Sequence, residues 1–575
     1  MIRTPAVPRQ VAATSAWLWL WDTLVFFAIF AVFSVVLLIG RHWLGAALPA
    51  AEISRSPRML PLYSLFSLVR IAIAYLLSLV FAVVYGYIAA YNRRLQPFMI
   101  AVLDILQSIP VLSFLPGVML AMVSLFPSRQ LGIEMGAIVL IFTGQVWNMA
   151  FSFYSSVKSI PRELHEASKI YGFSAWQRFF QLELPYGTIG LVWNSMVSVA
   201  GGWFFLMACE MFVLGKRDFR LPGLGSYLQT AAGAGDTGAM LWGLAAMIGT
   251  IVLLDQVVWR PVIAWSDKFK FEHVESAHGS TSPILDLLRR SRILETCQER
   301  VVAPVSERLN RHFARRSEPR NGTPAWVGQV IGVALAAALL AGVVWAGVQA
   351  FELLRGINGK DVTGTLHAAL ITFLRVTASL IVASLWTIPV GVAIGFNPKL
   401  ARIAQPLSQI AASVPATALF PVLLLAIVRA GGGLGVGSVL LMLLGTQWYI
   451  LFNVIAGAIA IPSDLKEAAA LFRFRSIDRW RMLILPGIFP YLVTGLVTAS
   501  GGAWNASIVA EYFHFQDRIL STFGLGAQIS AATDAGRYDD LLLATIVMAA
   551  LVVTVNRLVW RPLYRLAETR YKLET

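Results

Sequence analysis

Among the ionisable side chains inside long apolar stretches of this chain, two stand out in each half: Arg70 and Glu210 in the first, Arg375 and Glu511 in the second. A charge in hydrocarbon costs a few kcal/mol unless it meets water, protein or a partner, so each needs a reason to be there. Two cations flanking a path would concentrate a passing anion at its mouth, an effect that weakens as salt rises. The competing reading is that Arg70 and Arg375 snorkel to the outer interface. Glu210 and Glu511 precede the segments Gly223-Leu224-Gly225 and Gly524-Leu525-Gly526, and the structural reading is that each carboxylate bonds the segment that follows it. Pro110, Pro116, Pro415 and Pro421 fall in a third kind of place, the middle of an apolar run. There they should kink a helix and free carbonyls that are tolerated only against protein or a water-filled path.

Other chemistry is missing. The two cysteines, Cys209 and Cys297, lie on different segments without metal-ligand spacing, so neither a metal site nor a disulfide is expected. The sequence has no Gly-x-x-x-x-Gly-Lys-Ser/Thr loop and no soluble segment long enough for an ATPase domain, so no catalytic residue and no cofactor is assigned to this chain. No pair of half-buried carboxylates argues for proton coupling.

The elements that position these groups are membrane helices. Of 575 residues 57% are hydrophobic and 13% charged, and the mean hydropathy is +0.69, outside the range of soluble domains. Runs of about 20 apolar residues, enough to cross roughly 30 Å of hydrocarbon, lie near Trp17–Ile39, Leu62–Tyr91, Phe98–Phe126, Gly132–Val157, Gly187–Leu214 and Ala239–Ile263. They recur at Trp326–Phe351, Leu366–Phe396, Ile403–Val428, Leu434–Ala460, Gly487–Glu511 and Asp540–Val559. The first run is longer than the core of a signal peptide and is expected to be retained, although the small residues Ala46 to Ala51 keep cleavage open. Residues 1–263 thus form a first transmembrane repeat, 264–325 a basic linker with a candidate amphipathic helix at Pro283–Val302, and 326–575 a second repeat.

An even number of crossings puts both termini, the linker and the main polar loops on one side. Arg93, Arg94, Arg260, Lys399, Arg402 and Arg561 fall there too, which makes it the cytoplasm, with Arg41 and Lys216 as exceptions outside. The net charge of +15 reads as this bias plus attraction to anionic membrane lipid. A nucleic-acid partner is excluded, because no basic face is interleaved with aromatics.

The halves are copies. Arg70/Arg375, Gly86/Gly391, Asn92/Asn397 and Pro110/Pro415 each differ by 305 positions, and Trp203/Trp504, Glu210/Glu511, Gly223/Gly524 and Arg260/Arg561 each by 301. Repeats with an even number of spans share one orientation, so an axis along the membrane normal should relate them, with the pathway between them. The most polar copied stretch is Ile160 to Pro185, which returns as Ile461 to Pro486. Each copy reads as two short helices. Pro161 and Pro462 are placed in a first turn, Gly172 supplies a left-handed stop, and Ser174 with Gln177 forms a capping box. The second copy has Arg473 where the glycine should be. Either that turn is rebuilt or the second loop makes the weaker contact.

These loops resemble the EAA motif of the permease subunits of ATP-binding-cassette importers. The match is Glu166-Ala167-Ser168, Gly172 and Leu182-x-Leu184-Pro185, then Glu467-Ala468-Ala469 and Leu483-x-Leu485-Pro486. The resemblance implies an all-α polytopic membrane protein built from two tandem six-helix type I permease repeats. It also implies loops that form coupling helices, docking two cytosolic ATPase subunits on which ATP is bound and hydrolysed. Glu166, Ala167, Gly172, Leu184, Pro185, Glu467, Ala468, Ala469, Leu485 and Pro486 are the coupling residues it designates. The segments Ala-Cys-Glu-Met and Pro-Gly-Leu-Gly at 208–211 and 222–225, with Ala-Glu-Tyr and Phe-Gly-Leu-Gly at 510–512 and 523–526, resemble the nitrate, sulfonate and taurine branch. That branch implies a small anionic cargo handed over by an external, periplasmic solute-binding protein, and a location in the bacterial inner membrane. Arg70, Arg375, Glu210, Glu511, Pro110 and Pro415 are the candidate pathway residues. A secondary transporter or channel without an ATPase is the alternative class, and a membrane scaffold a third. Neither has a reason to keep two such loops, and co-purification of a cytosolic ATPase separates them.

Overall fold

The computed structural model describes residues 52–92, 95–108, 110–126, 130–214, 217–269, 283–290, 298–315, 354–429, 431–515 and 518–570, with isolated positions between. The run Trp17–Ile39, nearly all of 326–351, and Arg41, Arg93, Arg94, Lys216 and Cys297 lie outside the described residues.

The first repeat comprises α1 Leu60–Tyr91, α2 Gln96–Ser108, α3 Leu115–Leu125, α4 Gln130–Lys158, α5 Arg162–Ile170, α6 Ala175–Arg178, α7 Leu184–Glu210, α8 Leu224–Gly233 and α9 Thr237–Leu254. The linker contributes α10 Pro283–Arg290 and α11 Ala303–Arg315. The second repeat comprises α12 Gly359–Phe396, α13 Pro398–Ser413, α14 Ala416–Arg429, α15 Leu434–Ala460, α16 Ser463–Leu471, α17 Ser476–Arg479, α18 Leu485–Ala510, α19 Leu525–Ala535 and α20 Tyr538–Val555. Between α7 and α8, and between α18 and α19, sits a two-stranded antiparallel hairpin, Val213–Leu214 with Arg217–Asp218 and Tyr512–Phe515 with Arg518–Ser521. Among the described residues eight helices are long and apolar enough to cross a membrane, four in each repeat. The protein is a polytopic, helical membrane protein made of two tandem repeats.

By contacts the chain divides into two units. One holds Ser155–Trp193 and the described part of Leu253–Gln329; the other holds the remaining membrane helices of both repeats. In the larger unit, α1 is apolar all round, as a membrane helix is. What distinguishes its faces is size: the buried positions Ala74, Ser78, Ala82 and Gly86 recur every four residues as a small-residue stripe. Such a stripe lets backbones approach closely. A Cβ on Gly86 would touch the backbone of α4 at Ala150 and Tyr154, each at 3.0 Å. In the second repeat α15 lies between α12 and α18, with Gly391 against Val454 and Gly495 against Asn453 and the backbone of Ile450.

The sequence expectation for the third runs needs correcting. Phe98–Phe126 and Ile403–Val428 are not continuous kinked spans; each is cut into two short helices, α2 with α3 and α13 with α14. The cause is proline chemistry. Proline lacks the donor and drives the residue before it out of the helical region, and Val414 accordingly has φ −76°, ψ 117° before Pro415. Pro110 caps a single 3₁₀ turn, Val111–Phe114. The backbone freed at that break is taken up by the other repeat: the Leu112 N–H donates to Asn505 Oδ1 at 3.4 Å, and Thr545 Oγ1 donates to the Ser113 carbonyl at 3.3 Å. In return, α14 packs against α8. The repeats are therefore joined through their broken helices.

In the smaller unit the linker expectation is met in part. Helical structure covers Pro283–Arg290, and a π-turn at Gln298–Val302 leads into α11. Most of the intervening residues lie outside the description.

Candidate functional site

Two features, each present once in each repeat, collect most of the residues singled out by the sequence. The first is a buried polar latch. Ser67 and Arg70 sit one turn apart on α1, and Glu210 is the last residue of α7. Arg70 Nη1 donates to Glu210 Oε1 at 2.8 Å and to the Pro222 carbonyl at 2.8 Å. Ser67 Oγ donates to Glu210 Oε1 at 2.6 Å while accepting the Leu224 N–H at 3.1 Å, and the Gly225 N–H donates to Glu210 Oε2 at 2.7 Å. The carboxylate thus occupies the amino-terminal end of α8, where free backbone donors and the helix dipole favour a negative charge. One arginine, one glutamate and one hydroxyl tie two membrane helices to the short helix α8.

The second repeat builds the same latch. Arg375 Nη1 donates to Glu511 Oε1 at 3.0 Å and to the Phe523 carbonyl at 2.7 Å; Thr372 Oγ1 bonds Glu511 and accepts the Leu525 N–H at 2.7 Å; and the Gly526 N–H donates to Glu511 Oε2 at 2.9 Å. The Pro-Gly-Leu-Gly and Phe-Gly-Leu-Gly signatures follow from this geometry. Gly223 (φ 179°) and Gly524 (φ 174°) have extended backbones that any residue can adopt, so conformation does not require glycine there. Space does: a Cβ at either position would overlap the glutamate carboxylate.

The latches differ in one group. Arg70 Nε and Nη2 also make a two-pronged bond to Glu134 on α4, at 2.5 and 2.8 Å, and all three side chains are fully buried. The corresponding position 301 residues on is Gly435, and there Arg375 Nη2 bonds Thr522 Oγ1 at 2.8 Å instead. The expectation that Arg70 and Arg375 stand as cations at an outer mouth, or snorkel there, is corrected by these contacts. A buried guanidinium must be paired, and the chain pairs it internally. Arg375 keeps only 14% of its side chain exposed. Glu134, Ser67 and Thr372 were not singled out in the sequence. The 305-residue spacing of Ser67 and Thr372, shared with the arginines, was the signal available for two of them. Pro110 and Pro415 lie at the helix breaks, away from the latch.

The second pair is the copied loops. In each, the proline stands one residue ahead of the helix, its carbonyl accepting the first bond, from His165 N at 3.4 Å and Lys466 N at 3.3 Å. The turn that ends each short helix is the same. Tyr171 N bonds Ala167 O at 2.9 Å and Phe173 N bonds Ser168 O at 2.9 Å, while Phe472 N bonds Ala468 O at 2.9 Å and Phe474 N bonds Ala469 O at 3.1 Å. Gly172 has φ +66°, and Arg473 reproduces it with φ +50°. Of the two outcomes open in the sequence, a rebuilt turn is therefore not what occurs: the arginine accepts the left-handed region at a cost of about 1 kcal/mol. The Ser174/Gln177 capping box is present, with Gln177 N to Ser174 Oγ at 3.1 Å and Ser174 N to Gln177 Oε1 at 2.9 Å. The second copy has no side-chain cap at Arg475.

Each turn carries an apolar pair into solvent, Ile170 (83% exposed) with Tyr171 (78%) and Leu471 (82%) with Phe472 (76%). Glu166 and Glu467 are exposed on the same short helices, Ala469 is buried, and Leu184-Pro185 and Leu485-Pro486 begin α7 and α18. In the second loop Lys466 and Arg479 both face the Phe396 ring, at 4.7 and 5.3 Å from its centre. Partial burial, with repulsion from Arg479, holds the Lys466 ammonium below its ordinary pKa. Because the left-handed turn tolerates arginine once, Gly172→Arg should keep the turn and cost about 1 kcal/mol locally, read as roughly fivefold faster hydrogen exchange at the Phe173 amide. Exchange faster by several orders of magnitude would mean that the turn is lost.

Comparison with known proteins places these features. The family described as binding-protein-dependent transport system inner membrane component matches residues 82–258 and again 387–572, so each match contains one loop and one latch glutamate. The chain is 26% identical over 185 residues to the nitrate import permease protein NrtB of Leptolyngbya laminosa, covering 32% of this chain and 63% of that one. It is 26% identical over 196 residues to the bicarbonate transport system permease protein CmpB of Synechococcus elongatus, covering 34% and 67%. To the taurine transport system permease protein TauC of Escherichia coli it is 29% identical over 225 residues, covering 38% and 76%. The chain thus spans about two thirds of the length of the first two of these relatives.

Proposed function

Because the chain belongs to the binding-protein-dependent transport system inner membrane components, whose pattern covers both of its repeats, we propose that it is the complete membrane pathway of an ATP-driven importer, two permease halves in one polypeptide. Hydrolysis takes place on two separate cytosolic ATPase subunits, one at each copied loop. An external solute-binding protein delivers the cargo to the opposite side, and both termini are cytoplasmic. The relatives' names, nitrate, bicarbonate and taurine, support a small anion or anionic organic solute as cargo.

The observation that carries this reading is the pair of loops. Their turn is conserved in geometry even where an arginine must take a left-handed conformation, and each presents an exposed apolar pair at the same position. Solvent-exposed aromatic and aliphatic knobs beside a carboxylate suit burial in a protein cleft. Since the latch arginines are consumed by carboxylates, we infer that the cargo meets neutral hydrogen-bonding groups between the repeats, where Asn505 and Thr545 meet Leu112 and Ser113. The test is capture of the cognate ATPase by the purified permease. Glu166→Ala with Glu467→Ala should leave the protein in the membrane yet uncouple hydrolysis from transport. Tyr171→Ala with Phe472→Ala should weaken ATPase capture by about 30-fold per loop, the scale of a 2 kcal/mol interface residue. Normal capture and normal transport in both double variants would overturn the assignment of the loops.

A further inference from the structure

The two loops are held by different parts of the chain. In the second, Lys466 of α16 and Arg479 of α17 clasp Phe396, the last residue of α12. In the first, the linker takes part: α11 packs on α6, and the Trp176 indole N–H donates to Asn310 Oδ1 at 3.3 Å. The Trp176 ring lies 4.2 Å from that of Phe180, which in turn meets Phe179 edge to face. The residue equivalent to Trp176 in the second loop, 301 positions on, is Ile477, and it is 67% exposed. Ser155–Trp193 and the described linker residues accordingly fall in one contact unit, whereas the second loop belongs to the other unit. The helix α11 also has the make-up of an element that packs on one side. Asn310 is half-buried, while Glu307 and Arg311 form an exposed ion pair at 2.9 Å on successive turns.

We propose that α11 is a positioning brace for the first coupling loop, fastened through Trp176 and Asn310, which makes the two ATPase-docking loops unequal by construction. The linker is then more than a tether between repeats. It sets the stiffness of one of the two contacts through which closure of the ATPase pair reaches the membrane. This rests on the loops being the ATPase contacts, and the experiment has two arms so that the ideas fail separately.

In the first arm the full chain, purified without any ATPase, is exposed to trypsin, which cuts within α11 at Arg308 and Arg311. Asn310→Ala and Trp176→Phe each remove the same hydrogen bond, and the second keeps an aromatic ring against Phe180. Each should speed cleavage in α11 by about three- to tenfold, the effect of one such bond on local opening, and the double variant should be no faster than either single one. Cleavage at the wild-type rate in both variants overturns the brace. In the second arm ATPase capture is measured with one loop disabled at a time, the second by Leu471→Asp with Phe472→Asp, the first by Ile170→Asp with Tyr171→Asp. Adding Asn310→Ala should reduce capture several-fold when only the first loop is intact and leave it unchanged when only the second is. Equal effects in both backgrounds overturn the brace. Capture that survives disabling both loops overturns the loop assignment itself, while the proteolysis result still decides whether α11 is fastened to the first loop.

Discussion

Arg70→Met should destabilise the protein by on the order of 3–5 kcal/mol, the scale for breaking a buried ion pair by removing one partner, and Arg375→Met should cost clearly less. The difference lies in what each substitution leaves behind. Without Arg70, the carboxylates of Glu134 and Glu210 remain fully buried with the guanidinium between them gone. Ser67 and the Gly225 N–H still serve Glu210, yet Glu134 loses both of its bonds to the arginine. Without Arg375 a single carboxylate is left, still held by Thr372 and the Gly526 and Ala527 amides. Thermal unfolding of the purified protein in detergent measures both. Adding Glu134→Gln to Arg70→Met should recover part of the loss, because it removes one uncompensated charge. Equal destabilisation by the two arginine variants would mean that Glu134 contributes nothing to the first latch.

The second large effect is expected at two glycines. Gly223→Ala and Gly524→Ala each insert a methyl group into the space filled by the latch carboxylate. Overpacking alone costs typically 1–3 kcal/mol, and displacing the carboxylate also weakens charge-assisted bonds worth roughly 1.5–3 kcal/mol each. A combined loss on the order of 3–5 kcal/mol per site is expected, seen as a lower unfolding temperature and as release of α8 or α19 to proteolysis. Gly233→Ala is the control. It lies at the end of α8, where an added Cβ meets nothing within 4 Å. There alanine should be neutral or stabilising by up to about 1 kcal/mol through helix propensity. If Gly223→Ala behaves like Gly233→Ala, the carboxylate is not seated as described.

How much of this was legible beforehand depended on the range of the interaction. Membrane helices, the duplication and the copied loops are written in hydropathy and local spacing, and among the described residues they read correctly except for the third run of each half. The capping box of Ser174 and Gln177 is a contact over three residues, and the sequence shows it directly. The bond from Glu210 to the Gly-Leu-Gly segment spans 15 residues and could be argued from the glycines. Arg70 was misjudged because its partner Glu134 lies 64 residues away in an apolar run, and the carboxylate's facing could not be known before the helices were packed. The helix breaks at Pro110 and Pro415 were legible as kinks only. Whether a proline bends a helix or ends it depends on what pairs with the freed backbone, and at the Pro110 break the partners come from the other repeat.

That exchange at the breaks orders events during synthesis. Every partner in the first latch lies between Ser67 and Gly225, so it can close while the ribosome is still making the linker. The break at Leu112 and Ser113 has no such option, because Asn505 and Thr545 follow 393 and 432 residues later. Until they arrive, these two backbone groups lack the side-chain partners they have in the finished fold, and hydrocarbon is no substitute. In the nascent half that break needs protein or water against it until the second repeat is made.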